Sequence, residues 1–144
     1  MESYQRMDFK IECYRMEFQV AVVDLWKKCN LVVPWNDPIE DIQRKVEFQP
    51  ELFFVGLLDG MVIGSIMAGY EGHRGWINYL AVNPEFQRKG YGRKLVEKAI
   101  EELKKLGCPK INLQVRKSNA KVIEFYKHLG FKEDDVTSLG LRLA

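Results

Sequence analysis

Tyr79-Leu80-Ala81-Val82 is an apolar run that stops at Asn83-Pro84; it is followed by Gln87-Arg88-Lys89-Gly90-Tyr91-Gly92 and then by a long helical pattern. The order is strand, glycine loop, helix. Glycines let a backbone come close to a ligand, and consecutive N–H groups at a helix N-terminus form an anion site that the helix dipole strengthens. A pyrophosphate fits such a site. Arg88, Lys89 and Arg93 add mobile positive charge for further phosphates, which suits a nucleotide that also carries a 3′-phosphate. The plainer alternative is that Gly90 and Gly92 only shape the turn, since a bare glycine pattern is weak by itself. A Walker loop is excluded because no Gly-Lys-Ser/Thr follows. A dinucleotide fold is disfavoured, because its glycine motif belongs near the first strand of a parallel βαβ unit.

The segments before this stretch point the same way. Leu52 to Leu58 and Met61 to Tyr70 are apolar runs joined by Asp59-Gly60, a dipeptide favoured in the tight turns of hairpins. Gly72-His73-Arg74-Gly75 then turns the chain into a strand over Trp76 to Val82. Upstream, a first strand is expected around Lys10 to Arg15. Phe18, Val22, Leu25, Trp26 and Cys29 make one apolar stripe at helical spacing. Asn36-Asp37-Pro38 reads as a cap with proline at the first position of a second helix that runs to about Phe48.

Downstream, Leu95, Val96, Ala99, Ile100, Leu103 and Leu106 follow a helical period that Gly107 and Pro109 stop. Ile111, Leu113 and Val115 alternate as a strand. A short helix is expected from about Asn119 to Leu129, with Gly130 at its C-terminal cap, and Phe131 and Ser138 to Leu143 as the last strands. The pattern predicts one α/β unit over 9–144, with a central, mostly antiparallel mixed sheet of about six or seven strands and helices on both faces. Residues 1–8, polar and aperiodic, read as a frayed leader.

The chain has 144 residues, 22 lysines and arginines against 20 acids, and a formal net charge of +2. Such a balance gives no sign of a nucleic-acid partner, whose basic residues would dominate and cluster. Cys13, Cys29 and Cys108 lack the spacing of a zinc site or a disulfide framework, and no apolar run is long enough to span a bilayer. A cytoplasmic protein without a membrane partner is expected. A homodimer is left open. His73 and His128 are too isolated to hold a catalytic metal. Cys108 has no histidine-asparagine context that would make it a nucleophile, and is read as structural.

Two ordered patterns carry a resemblance to a known family. One is Val82-Asn83-Pro84 with Gln87 to Gly92; the other is Asn119, Tyr126, Leu129, Gly130 and Phe131. Together they resemble the GNAT superfamily of N-acetyltransferases, in particular its small bacterial YpeA-type members, over roughly Phe9 to Leu143. The resemblance implies that acetyl-coenzyme A (acetyl-CoA) is the cosubstrate, its pyrophosphate on Gln87, Arg88, Lys89, Gly90, Tyr91, Gly92 and Arg93. It further implies that the pantetheine arm runs along the backbone of Leu80, Ala81 and Val82. A backbone N–H there, that of Val82 or its neighbour, would polarise the thioester carbonyl. Asn119 maps to a residue that bonds the pantetheine, and otherwise serves as a helix N-cap. Tyr126 maps to the general acid that protonates the leaving thiolate, and otherwise packs on a helix face.

The implied function is acetyl transfer to a primary amine by direct attack in a ternary complex, the acceptor being a small molecule or a protein amine. The general base is not set by the pattern. Ribosomal-protein N-terminal acetyltransferases of the superfamily place a glutamate on the fifth strand, where this chain has Gln114, and an amide cannot accept a proton. Glu71, His73 and Asp37 are the candidate replacements, with Glu71 preferred. Each has a plainer role as a loop acid, a hairpin terminator or a helix cap. Trp35 and Trp76 could wall an acceptor site, or simply belong to the core. Gln114 also keeps a second function open, a CoA-binding regulatory module without efficient turnover.

Overall fold

A computed structural model of the protein describes residues 8–144. The leader expected over 1–8 therefore lies, except for Asp8, outside the described residues. The chain divides into two compact units, one ending at Leu113 and the other spanning Gln114 to Ala144.

The first unit is built on a five-stranded sheet in sequential order: β1 (Phe9–Cys13), β2 (Phe53–Leu58), β3 (Met61–Tyr70), β4 (Gly75–Val82) and β5 (Ile111–Asn112). The first four strands are antiparallel neighbours, and β5 joins β4 in parallel, so the sheet is mixed as expected. The β2–β3 hairpin turns at Asp59 and Gly60, both at positive φ (49° and 81°), which is what a tight primed turn requires. Asp8 closes this corner, its N–H donating to Asp59 Oδ1 at 3.0 Å.

Helices cover both faces because strand side chains alternate. Phe53, Val55 and Leu57 point to one face and join a core with Val22, Leu25 and Trp26 of α1 (Gln19–Lys28) and Ile42 of α2 (Pro38–Glu47). Phe54 points to the other face, beneath Lys98 of α3 (Tyr91–Lys105). Of the stripe predicted for α3, Leu95, Val96, Ala99 and Leu103 have no exposed surface and Ile100 is partly buried, while Leu106, past the end of the helix, is half exposed. Each of the larger fully buried side chains contributes about 1.5–3 kcal/mol through burial. Helix α2 starts where the sequence placed it, with the Asp37 carboxylate accepting from the N–H of Ile39 and Glu40 at 2.9 and 3.3 Å. Asp37 is thus a cap, its plainer reading.

Two features bear on a site. Strand β4 carries a bulge, since Ser65 pairs with Ala81 and Met67 with Asn78, leaving Tyr79 and Leu80 opposite Ile66 alone. Tyr79 has φ 53°, a left-handed conformation that large side chains rarely adopt. The second feature is the short β5. It meets β4 only at Gly75↔Ile111 and Trp76↔Asn112, so among the described residues no strand pairs with the outer edge of β4 beyond Trp76.

Gln114 to Ala144 contains one helix, α4 (Ala120–His128). The strand expected over Ile111 to Val115 shortens to two residues, and none forms over Phe131 or Ser138 to Leu143, so among the described residues the sheet has five strands rather than six or seven. Alternation alone cannot build a strand: Leu139, Leu141 and Leu143 alternate with polar or small residues yet are 90, 86 and 92% exposed.

Candidate active site

The glycine loop follows directly from the end of β4. Asn83 Oδ1 accepts from the Glu85 N–H at 3.0 Å and opens a short 3₁₀ turn, Pro84–Phe86. The Gln87 side chain folds back and donates to the Val82 carbonyl at 3.0 Å, tying the loop to the strand. Arg88 (φ 64°) and Gly90 (φ 86°) both take left-handed conformations, and α3 begins at Tyr91. No side chain caps this helix, in contrast to Asp37 at α2. The first N–H groups of a helix have no intrahelical carbonyl, so those of Tyr91, Gly92 and Arg93 are presented at the helix start. Arg88 and Lys89 are exposed beside them, while the Arg93 guanidinium pairs with Glu97 at 3.1 Å.

Along β4 the ladder decides which groups are available. The Asn83 N–H donates to Ile63 at 2.7 Å, so the Val82 N–H, one residue earlier, faces the open edge. The Val82 carbonyl is already taken, accepting from Gln87 and from the Cys29 thiol at 3.3 Å. By the same alternation Ala81 faces β3, so of the backbone groups expected along Leu80, Ala81 and Val82 the N–H groups of Val82 and Leu80 are turned away from the ladder. Burial pushes the Cys29 thiol pKa up, the bond to Val82 opposing it. All three cysteines are free.

Glu71 lies at the other end of β4 from the glycine loop. Its Oε1 accepts from the N–H groups of Arg74 and His73, both at 2.6 Å, and these bonds hold the carboxyl below its ordinary value. A carboxylate made more acidic is a poorer proton acceptor. These bonds give Glu71 the geometry of a turn-closing acid, the plainer role open to it. Trp35 is half exposed and Trp76 only partly buried, so neither belongs to the closed core.

In the second unit, Asn119 stands at the N-cap position of α4, and its side chain makes no capping bond. Tyr126 is 6% exposed, with Phe125 and Phe131 packed edge-on against its ring at 5.2 and 5.3 Å. Burial raises its pKa, so the phenol keeps its proton throughout the neutral range. The turn after α4 forms as the Leu-Gly-Phe pattern predicts, with Gly130 at φ 99° and the Phe131 N–H donating to the Tyr126 carbonyl at 3.0 Å. The Gln114 amide donates to Ser138 Oγ.

The sequence pattern of the Acetyltransferase (GNAT) family matches residues 19–131. The chain belongs to the GNAT family of acetyltransferases. An acetyltransferase of Pectobacterium atrosepticum is 42% identical over 134 residues, covering 93% of this chain and 95% of the relative. An acetyltransferase of Yersinia enterocolitica is 44% identical over 122 residues, covering 85% of this chain and 86% of its own length. Among solved GNAT structures, the ribosomal-protein-S18-alanine N-acetyltransferase of Escherichia coli superposes with a TM-score of 0.75 at 27% identity, over 88% of this chain and 79% of that one. An aminoglycoside N-acetyltransferase in complex with CoA shares the fold with a TM-score of 0.79 at 16% identity, over 99% of this chain and all of the other.

Among the described residues, no group of three or more histidine, cysteine or acidic side chains is arranged to hold a metal ion. No helix among them is long and apolar enough to cross a membrane. What the sequence did not disclose is the strained Tyr79 at the bulge and the polar contacts around it. A left-handed tyrosine has no sequence signal. Ser65, fully buried in an apolar strand, was the available clue, because a buried hydroxyl needs a partner.

Proposed function

We propose that this GNAT chain transfers the acetyl group of acetyl-CoA to a primary amine by direct attack in a ternary complex. The observation that carries the proposal is the uncapped start of α3 at a left-handed Gly90, directly continuous with an open, bulged edge of β4. One element supplies N–H groups for a pyrophosphate, the other for an amide-bearing arm. That an aminoglycoside N-acetyltransferase of the same fold was solved in complex with CoA supports CoA as the ligand class.

In this reading Gln87 to Gly92 and the Arg93 N–H cradle the pyrophosphate, with Arg88, Lys89 and Arg93 supplying charge. Leu80, Ala81 and Val82 present backbone to the pantetheine, and Asn119 bonds it with its side chain. The thioester supplies an activated acyl group. As the amine attacks its carbon, charge grows on the carbonyl oxygen, and a backbone N–H of β4 stabilises that charge. Tyr126 then meets the leaving sulfur. Burial keeps the phenol protonated, so its hydroxyl is available as the general acid that gives its proton to the leaving thiolate. No covalent enzyme intermediate is involved.

With Glu71 held as a turn acid and an amide at Gln114, the acceptor loses its proton to water or arrives neutral. These same residues favour a second reading, a CoA-binding regulatory module without efficient turnover. A panel of small-molecule and peptide amines, assayed by release of free thiol from acetyl-CoA, separates the two. Amine-dependent thiol release supports the enzyme. Thermal stabilisation by acetyl-CoA without release from any amine supports the module, and no stabilisation at all removes both.

A further inference from the structure

We propose that Trp26, Ser65, Tyr79 and Asp41 are positioning residues for acetyl transfer, locking the β4 bulge so that the Leu80 N–H is held toward the thioester carbonyl. The inference rests on the reading that acetyl-CoA lies along β4.

A tyrosine at φ 53° is strained, and such a conformation persists only where its surroundings over-determine it. Here they hold both ends of the residue. At the backbone, the Tyr79 carbonyl accepts from Ser65 Oγ at 2.8 Å, and Ser65 Oγ in turn accepts from Trp26 Nε1 at 2.8 Å. Trp26 and Ser65 have no exposed surface, so water does not compete for either bond. At the side chain, the Tyr79 ring lies on the Trp26 indole with centroids 3.8 Å apart and planes 15° from parallel. Its hydroxyl donates to Asp41 Oδ2 at 2.5 Å, while Asp41 Oδ1 accepts from Arg44 at 3.0 Å. Three elements, α1, α2 and β3, thus converge on one residue.

The consequence for the next N–H follows from the peptide bond. Residues 79 and 80 share a planar trans peptide, in which C=O and N–H point in opposite directions. Fixing the carbonyl on Ser65 therefore fixes the Leu80 N–H away from Ser65. Neither Tyr79 nor Leu80 has a register partner on β3, so the Leu80 N–H lies within the irregular stretch of the ladder. A donor that is aimed before the ligand arrives needs no reorganisation when charge develops. The bulge supplies the N–H, and the buried network aims it.

The test uses the full chain with acetyl-CoA isotopically labelled at the thioester carbonyl, read by infrared difference spectroscopy, so no acceptor is needed. In the wild type the bound carbonyl stretch is expected at lower frequency than in free acetyl-CoA. In Ser65→Ala and in Tyr79→Phe it should return toward the free value, while acetyl-CoA still raises Tm by the wild-type amount. Where an acceptor is in hand, kcat should fall roughly ten- to a hundredfold with KM for acetyl-CoA within about twofold. Ser65→Ala also strips the Trp26 N–H of its partner. If that variant fails to fold, Tyr79→Phe, which keeps ring and stacking, decides. A carbonyl frequency and kcat unchanged from wild type in the variants would overturn the proposal. Absence of any acetyl-CoA effect on wild-type Tm would instead sink the acetyl-CoA reading beneath it.

Discussion

Gly64 sits buried in β3 opposite Val82, and Gly64→Ala probes how tightly α3 and β4 close on that strand. The added methyl would lie 2.8 Å from Leu95 Cδ1 and 3.2 Å from the Ala81 carbonyl oxygen, both nearer than normal contact. Leu95 has no exposed surface and so nowhere to swing. Overpacking of this kind costs about 1–3 kcal/mol, of which the stiffer unfolded chain of alanine returns about 0.4–1 kcal/mol. The net destabilisation is then about 1–2 kcal/mol. At about 2–4 °C per kcal/mol for a chain of this size, Tm should fall by roughly 2–8 °C. Because the displaced carbonyl belongs to β4, KM for acetyl-CoA should rise as well. Gly56→Ala is the control: its methyl meets the Phe9 ring at 2.9 Å, but Phe9 is only partly buried on the edge strand and can move. Thermal unfolding by circular dichroism should rank Gly64→Ala well below Gly56→Ala. A Gly64→Ala protein at or above the wild-type Tm would refute the packing described.

Tyr126→Phe should leave Tm and acetyl-CoA affinity nearly unchanged, since the ring keeps its contacts with Phe125 and Phe131, and lower kcat about ten- to a hundredfold. Steady-state kinetics showing full activity would return the residue to a packing role. Glu71→Gln should change kcat by less than about twofold at any pH, because a turn-closing acid is not the proton acceptor; loss of the lower limb of the pH profile would restore it as the base. Stability should decline at high pH. The folded pKa values of Tyr79 and Tyr126 lie above the unfolded value near 10, Tyr79 by burial and its bond to Asp41, Tyr126 by burial. Above about pH 10 the unfolded chain holds fewer protons than the folded one, so unfolding becomes more favourable as pH rises. Urea midpoints should show little contribution from these two groups up to about pH 9 and fall beyond 10, less steeply in Tyr126→Phe. The same slope in that variant would contradict the burial of Tyr126.

What could be read in the sequence is what local chemistry decides. Asp59-Gly60 needs left-handed backbone, Asp37-Pro38 offers a cap and a preset φ, and the α3 stripe has one period; each produced the element expected. The glycine loop belongs to the same class, because Gly90 tolerates a conformation that others avoid. The last strands were illegible for the opposite reason: a strand needs a neighbour, and alternation over Ser138 to Leu143 specifies none. The bonds of Glu71 were not legible, because its carboxylate accepts from His73 and Arg74 of its own loop and those contacts depend on the fold of the turn. The clamp around Tyr79 joins residues up to 53 positions apart in sequence, Trp26 to Tyr79, a juxtaposition that only the folded sheet reveals.

The grip of the glycine loop on acetyl-CoA is tested most directly by titrating the cofactor into the wild type and into the Arg88→Glu/Lys89→Glu double variant by calorimetry. Both side chains are exposed, so the variant should fold with a near wild-type Tm. The expected result is clear binding by the wild type, weakening with salt, and an affinity at least about tenfold lower in the variant, equivalent to about 1.4 kcal/mol. No binding by the wild type, or equal affinity in the two proteins, would contradict the placement of the pyrophosphate on Gln87 to Gly92.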